Sequence, residues 1–160
     1  MVGDAGCAAV RTLVPTLRHE LGLDAIVANG ENSAPGGRGI TSESGSDLLS
    51  VVDFLTLGNH AFDAGGAGRF LESGTRIIWP VNFNANSPGY GWGTFEAGGV
   101  RIGVVNVQGR VFMKHALRSP FRAAERAVDE VEAAGAGLDL VDGHAEAMGP
   151  HLEGRAQAVV

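Results

Sequence analysis

Apolar residues recur at helical spacing near the start of the chain, and shorter apolar runs alternate with polar stretches after that. The first pattern predicts an amphipathic helix over residues 8–21, in which Pro15 should introduce a kink or mark a later start. The apolar positions of this helix are Val10, Leu13, Val14, Leu17 and Leu21. A helix of this kind packs its apolar side against a core.

The shorter apolar runs predict strands separated by loops and helices. The predicted strands cover residues 24–28, 53–57, 76–79, 93–97, 100–107 and 138–142, and the start of another covers residues 156–160. The pair Gly98-Gly99 between two of these runs predicts a hairpin. Strands that alternate with helices, with one hairpin added, predict a single α/β domain over residues 1–160 with a mixed sheet.

Three further helices are predicted from capping and periodicity. Thr41 is a predicted N-cap for a helix that reaches about residue 50. Residues 62–72 favour a weaker helix, because glycines interrupt it. Ser119-Pro120 predicts the start of a helix that ends near residue 134. That helix should have one apolar side, formed by Phe121, Ala124, Val128 and Val131.

Composition and charge narrow the class of protein. The 160 residues are 44% hydrophobic and 19% charged, as in ordinary globular domains. The formal net charge of -6 argues against extended electrostatic binding to a nucleic-acid backbone. An anionic substrate would need a local positive centre, such as a bound metal. Cys7 is the single cysteine, so no disulfide framework or cysteine zinc site is expected. Without a signal-like or membrane-spanning apolar run, we expect a cytoplasmic protein with no membrane partner.

Polar clusters follow three of the predicted strands. They are residues 29–32, 58–60 and 142–144, and the pair Gly3-Asp4 precedes them in the chain. Ligands of open α/β sheets bind beyond the carboxyl ends of the strands, so these clusters are expected to meet. Their carboxylate, amide and imidazole groups suit manganese, iron or zinc. Each residue alone is also compatible with a helix cap or a turn, and only the conjunction indicates a metal site.

Four motifs resemble the signatures of the YmdB-like phosphodiesterases, a family of calcineurin-like metallophosphoesterases. They are Asn-Gly-Glu-Asn-Ser-Ala at 29–34, Gly-Asn-His at 58–60, Gly-Arg-Val-Phe-Met at 109–113 with Pro120-Phe121, and His-Ala-Glu-Ala at 144–147. The resemblance implies the calcineurin-like fold, with mixed sheets flanked by helices. It also implies a centre of two metal ions, with iron or manganese expected, and hydrolysis of phosphodiesters such as 2′,3′- or 3′,5′-cyclic nucleotides.

The resemblance assigns roles to individual residues. Asp4 matches an aspartate ligand, Glu31 the carboxylate that bridges both metals, Asn59 an amide ligand and His144 a histidine ligand. His60 matches the histidine beside the leaving group, and Asn32 lies in the same motif with a less defined role. Two cations a few ångströms apart would hold a hydroxide for in-line attack, and a protonated His60 could assist the departing alkoxide.

The chain also departs from the family pattern. Only Met1 and Val2 precede Gly3, and a Gly-Thr-His-Thr-His motif that supplies two more ligands in the family is not in this sequence. We therefore expect a fold that is incomplete at the C-terminus. A catalytically impaired fragment, or a remnant that binds metal or a partner, stays open beside the enzyme, as does a homo-oligomer. Arg38 in the glycine-rich segment could touch phosphate or be solvated, and Asp63 and Glu146 could orient ligands or serve as solvated caps.

Overall fold

Helices and strands alternate along the chain in the predicted order. The computed structural model describes residues 1–74, 76–83, 86–111, 113 and 117–144, with 138–144 described through their backbone. In chain order the elements are α1 (Gly3–Leu21), β1 (Val27–Asn29), α2 (Ser42–Leu49), β2 (Phe54–Thr56), α3 (Ala67–Glu72), β3 (Ile77–Ile78), β4 (Trp92–Ala97), β5 (Val100–Gln108), α4 (Pro120–Ala133) and β6 (Leu138–His144). The predicted strand at 156–160 lies outside the described residues.

The strands form two sheets instead of the one mixed sheet that their order predicts. β1, β2 and β3 make a parallel sheet, in which Asn29 pairs with Thr56 at the carboxyl end. β5 lies between β4, which is antiparallel to it, and β6, which is parallel to it. The sheets pack through the stacked rings of Phe54 and Phe95, whose centroids are 5.4 Å apart. A side-chain hydrogen bond from Asn106 to the carbonyl of Leu57 also joins them, next to the carboxyl end of β2.

Helix α1 begins at Gly3, five residues before the predicted start, and runs through Pro15 to Leu21. Its start is anchored, because Gly3 N donates to Asn32 O at 2.8 Å and Val2 bridges to Asn32. The expected apolar side is only partly correct. Cys7 and Val14 are buried, whereas three of the predicted stripe residues remain exposed, namely Leu13, Leu17 and Leu21. Val10, also in the predicted stripe, is partly buried and packs against the core.

The capping signals located two helices correctly. Thr41 Oγ1 accepts from Ser44 N at 3.1 Å and caps α2. Pro120 occupies the first turn of α4 after Ser119, as predicted. The apolar side of α4 is partly as predicted, because Val131 is buried and Ala124 and Val128 pack against the core while partly exposed. Its buried residues are Ala123, Ala127 and Val131, and Phe121 is 61% exposed.

Other boundaries differ by a few residues. α3 begins at Ala67, not at residue 62, because the chain turns at Gly66 in the left-handed conformation with φ 83°. β1 begins at Val27 instead of residue 24. β6 includes residues 142–144, so this polar cluster lies in the strand and not after it. Within the described residues, no helix is both long and apolar enough to cross a membrane.

Candidate functional site

The segment after β1, residues 30–40, is called here the β1 loop and is folded by short-range hydrogen bonds. Glu31 N donates to Asn29 Oδ1 at 3.1 Å, and Gly30 N donates to Thr56 O at 2.9 Å, which extends the β1–β2 pairing by one residue. Ser33 N donates to Gly30 O at 3.1 Å. These bonds turn the chain at Glu31 and direct its side chain inward, where it is 3% exposed.

The Glu31 carboxylate connects the β1 loop to the segment after β2, residues 57–66, called here the β2 loop. Glu31 Oε1 accepts from the backbone N–H of His60 at 3.1 Å. Gly58 makes this approach possible, because a Cβ at this position would lie 2.1 Å from Oε2 and 2.4 Å from Cδ of Glu31. The glycine of the Gly-Asn-His motif therefore provides the space that the buried carboxylate occupies.

The His60 ring lies in a row of polar side chains. His60 Nδ1 is 2.7 Å from Asp63 Oδ2, and Arg38 Nη2 donates to the same oxygen at 3.0 Å. Asn59 Nδ2 is 3.1 Å from His60 Nε2 and 3.5 Å from His60 Nδ1, so the amide lies over the ring. The hydrogen bond from His60 lowers the pKa of Asp63 below its ordinary value, burial opposes this shift, and the Arg38 guanidinium adds a smaller lowering. The Asp63 carboxylate is thus held ionised beside the ring.

Arg38 reaches this row because the β1 loop packs against the β2 loop. Ala34 N donates to Gly39 O at 2.9 Å, and Gly37 N donates to Ala34 O at 2.7 Å, which fold the loop back on itself. Gly39 has a φ of +78°, and a Cβ there would lie 2.7 Å from Ala64 N. The side chain of Arg38 remains 67% exposed while it pairs with Asp63.

Asp4 lies on the first turn of α1, and Asn32 lies on the β1 loop beside it. Asp4 is exposed in the first turn of the helix, and Asn32 is half-buried in the β1 loop. The hydrogen bond from Gly3 N to Asn32 O places the helix start against that loop. Asp4 is thus carried by a helix that starts beside the β1 loop, although the sequence pattern had suggested no element for it.

His144 ends β6, where its backbone pairs with Gln108, and its side chain lies outside the described residues. Glu146 lies outside the described residues. Among the side chains that are described, no three of the His, Cys, Asp and Glu type form a group that could hold a metal. The expected set includes the amide of Asn59 and the imidazole of His144, so the complete ligand set stays a prediction.

Two features of the site could not be assigned from sequence alone. The contact of Gly58 with Glu31 has no local signal beyond the glycine itself. Asp63 was one of the residues that could orient a ligand or serve as a solvated cap, and the structure pairs it with His60 and Arg38. The i, i+3 spacing of His60 and Asp63 within a turn was the available signal.

Comparison with known proteins identifies the family. The family model for the YmdB-like protein matches residues 1–160. The chain belongs to the YmdB-like family. It is 34% identical over 167 residues to the 2′,3′-cyclic-nucleotide 2′-phosphodiesterase of Bacillus subtilis (strain 168), an alignment that covers 100% of this chain and 62% of that protein. This YmdB-like chain therefore spans less than two thirds of that relative's length.

Solved structures confirm the predicted calcineurin-like metallophosphoesterase fold. A hypothetical protein from Thermus thermophilus matches with a TM-score of 0.79 and 36% identity, covering 91% of this chain and 55% of the other. A structure described as a novel phosphatase from Mycoplasma pneumoniae matches with a TM-score of 0.78 and 22% identity, covering 91% and 53%. At 22% identity, the similarity to the Mycoplasma pneumoniae structure concerns the fold alone.

Proposed function

We propose that this chain forms the metal-binding part of a phosphodiesterase that hydrolyses small phosphodiesters such as 2′,3′- or 3′,5′-cyclic nucleotides. The observation that supports this most is the buried Glu31 carboxylate at the ends of β1 and β2, bonded to the backbone of His60 and next in space to the turn that contains Asn59. Family membership and the name of the Bacillus subtilis relative agree with this activity.

The residues at the ends of β1 and β2 supply two donors of the proposed centre for two cations. A carboxylate kept 3% exposed at Glu31 is an anionic oxygen donor in a confined place, and Asn59 adds an amide oxygen. We propose Asp4, Glu31, Asn59 and His144 as ligands, with iron or manganese as the metals, because mixed oxygen and nitrogen donors suit these ions. When bound, such cations would supply an activated water and neutralise phosphate charge.

The other polar side chains act on the substrate in this proposal. In this proposal the His60 ring is protonated on both nitrogens, Asp63 accepts from Nδ1–H, and the Nε2 proton goes to the departing alkoxide oxygen, which leaves a neutral ring. Asn32, half-buried in the β1 loop, would orient a phosphate oxygen through its amide. Arg38 is exposed enough to contact the rest of the substrate. The reaction would take place in the cytoplasm and without a stable nucleic-acid or membrane partner.

The experiment that tests the proposal combines metal content with turnover. The chelator-treated chain is reconstituted with Mn²⁺ or Fe²⁺, desalted, and assayed on 2′,3′- and 3′,5′-cyclic AMP. We expect bound metal and hydrolysis in the native chain, and loss of turnover by about 100-fold or more in Glu31→Gln, because a neutral amide binds cations weakly. His60→Ala should slow hydrolysis by about 100-fold and spare the metal.

Glu43→Gln is the matched control, because Glu43 is an exposed carboxylate on α2. Turnover retained in Glu31→Gln would contradict the assignment of Glu31. One bound ion or none, with no hydrolysis in the native chain, would favour the alternative of a metal-binding or interaction remnant.

A further inference from the structure

The parallel sheet loses a hydrogen-bond donor at the point where β2 ends. Leu55 N donates to Arg76 O at 2.8 Å, and two residues later Leu57 N donates to Ile78 O at 2.9 Å. At the same spacing, the carbonyl of Leu57 would accept from the N–H of residue 80. That residue is Pro80, which has no N–H. The strand next to β2 therefore offers no donor to the last carbonyl before the β2 loop.

Asn106 supplies this donor from the other sheet. Its Nδ2 atom donates to Leu57 O, and the nitrogen of the amide must face this carbonyl because a carbonyl oxygen can only accept. Asn106 is itself held on both sides, since its carbonyl accepts from Val81 N at 2.8 Å and its N–H donates to Gly91 O at 3.2 Å. The side-chain bond thus joins a fixed position of β5 to the start of the β2 loop.

Core packing alone does not account for an amide at this position. Asn106 is 1% exposed, and its Oδ1 atom has no hydrogen-bond partner within the described part of the chain. A buried polar atom without a partner costs free energy. Val104, two residues earlier on the same face of β5, is apolar and packs with Phe54. The bond to Leu57 is what an apolar residue at position 106 could not provide.

We propose that Asn106 is a positioning residue, which sets the β2 loop against the second sheet. The proposed ligands come from both sheets. Asn59 follows Leu57 by two residues, and His144 ends β6, which pairs with β5 so that Asp142 lies opposite Asn106. The bond from Asn106 to Leu57 joins these two parts where their strands end. Asn106 therefore acts on the metal centre through the backbone of the loop.

Amide hydrogen exchange of His60 in the metal-free chain, followed by NMR, is the direct readout. This N–H donates to Glu31 Oε1 at 3.1 Å, a bond that requires the β2 loop to keep its place. We expect Asn106→Leu to speed the exchange about 10-fold, equivalent to about 1.4 kcal/mol and within the range of one hydrogen bond. The amide of Val131 in α4 is the reference and should change little. Unchanged exchange of His60 would overturn the proposal.

Val104→Ala is the matched control for a general loss of stability. Val104 is fully buried, so its truncation leaves a cavity in the core. It should speed the exchange of Val131 and leave His60 no faster relative to that reference. If it speeds His60 as much as Asn106→Leu does relative to Val131, the positioning role fails. Asn106→Ala, which adds no volume, repeats the measurement if the leucine variant does not fold.

Pro80→Ala tests whether Asn106 acts through the Leu57 carbonyl. An N–H at position 80 would restore the donor that the ladder between β2 and β3 lacks. Pro80→Ala added to Asn106→Leu should return the exchange of His60 close to the native rate, and Pro80→Ala alone should leave it unchanged. A double variant that exchanges as fast as Asn106→Leu would contradict action through this carbonyl.

Titration with Mn²⁺ alone, followed by calorimetry, measures the consequence for the metal centre. We expect Asn106→Leu to weaken Mn²⁺ binding about 10-fold, at the lower end of what groups that orient metal ligands contribute. Val104→Ala should bind like the native chain, and the double variant with Pro80→Ala should recover most of the loss. Native affinity in Asn106→Leu together with faster His60 exchange would contradict an effect on the ligands.

The inference rests on the proposed function only in naming Asn59 and His144 as ligands. If the native chain binds no Mn²⁺, the proposed metal site fails, while the exchange of His60 still decides whether Asn106 positions the loop. If Mn²⁺ binds and Asn106→Leu changes neither its affinity nor the exchange of His60, the positioning role fails and the metal site stands.

Discussion

The β1 loop and the β2 loop both follow a strand of the parallel sheet, yet they hold their polar side chains in different ways. In the β1 loop, backbone hydrogen bonds fix the chain, and Glu31 and Ser33 are buried at 3% and 0% exposure. The β2 loop also has backbone turns, from Ala61 N to Gly58 O at 3.1 Å and from Asp63 N to His60 O at 3.0 Å, but its Asn59, His60 and Asp63 side chains remain partly exposed and contact one another.

The difference shows two ways of preparing groups for catalysis. A buried carboxylate is costly unless donors or cations compensate it, so the β1 loop holds Glu31 in a closed space that tolerates little change in volume. An imidazole needs a defined tautomer and access to substrate, so the β2 loop supplies a partner on one side and solvent on the other. The first loop should therefore be sensitive to steric substitutions and the second to loss of a partner.

Of the substitutions that test the difference between the two loops, Gly58→Ala should have the largest effect on stability and metal binding. The added Cβ would lie 2.1 Å from Oε2 of Glu31, whose side chain is 3% exposed and has little room to move. We expect a loss of about 3 kcal/mol in the free energy of unfolding, typical of a severe steric insertion in a packed interior, together with loss of Mn²⁺ binding. Urea unfolding and metal titration measure the two effects.

Gly65→Ala is the control for that substitution. Gly65 lies in the same β2 loop, and a Cβ there would have no atom within 4 Å. Its unfolding free energy should stay within about 0.5 kcal/mol of the native value. If Gly58→Ala and Gly65→Ala lowered the free energy of unfolding equally, the effect at position 58 would come from glycine flexibility and not from the space beside Glu31.

Gly39→Ala should have an intermediate effect, because it disturbs the contact between the loops and not the carboxylate. A side chain at φ +78° costs about 1 kcal/mol, and the clash of the Cβ with Ala64 N at 2.7 Å should add about another. Gly66→Ala separates the backbone cost from the steric clash, because Gly66 has a similar φ of +83° and a Cβ there would have no atom within 4 Å. A stability loss no larger than that of Gly66→Ala would exclude the steric contribution.

The smallest expected effect is the pH dependence of the Asp63 interaction. The pKa of Asp63 is lower in the folded chain than the ordinary aspartate value of about 3.9, so its contribution to stability is fully present above that value. The contribution is lost as the pH falls through the lower, folded-state pKa. Urea unfolding of native chain and Asp63→Asn should differ at pH 7 and converge below about pH 3.

Asp129→Asn, an exposed change on α4, corrects this comparison for the general effect of removing one negative charge. A difference between native chain and Asp63→Asn that persists unchanged to acid pH would show that the carboxylate charge does not stabilise the fold. Because Asp63 is partly exposed, solvent screening keeps the expected difference small.

Local signals in the sequence were informative where the physics is local. The capping pattern at Thr41 and the proline after Ser119 located α2 and α4, because both depend on a few neighbouring residues. The Gly98-Gly99 pair located the β4–β5 hairpin for the same reason. Periodicity was less reliable, since Leu13, Leu17 and Leu21 have the spacing of a buried stripe and are exposed.

The sequence by itself determined the family, the order of elements and the polar residues that follow β1 and β2. Only the tertiary structure decided that Gly58 makes room for Glu31, that Arg38 meets Asp63 across two loops, and that the strands divide into two sheets. The reason is that motifs and caps depend on residues close together in the chain. The site depends on where two parallel strands end, and this is fixed by packing between residues far apart in sequence.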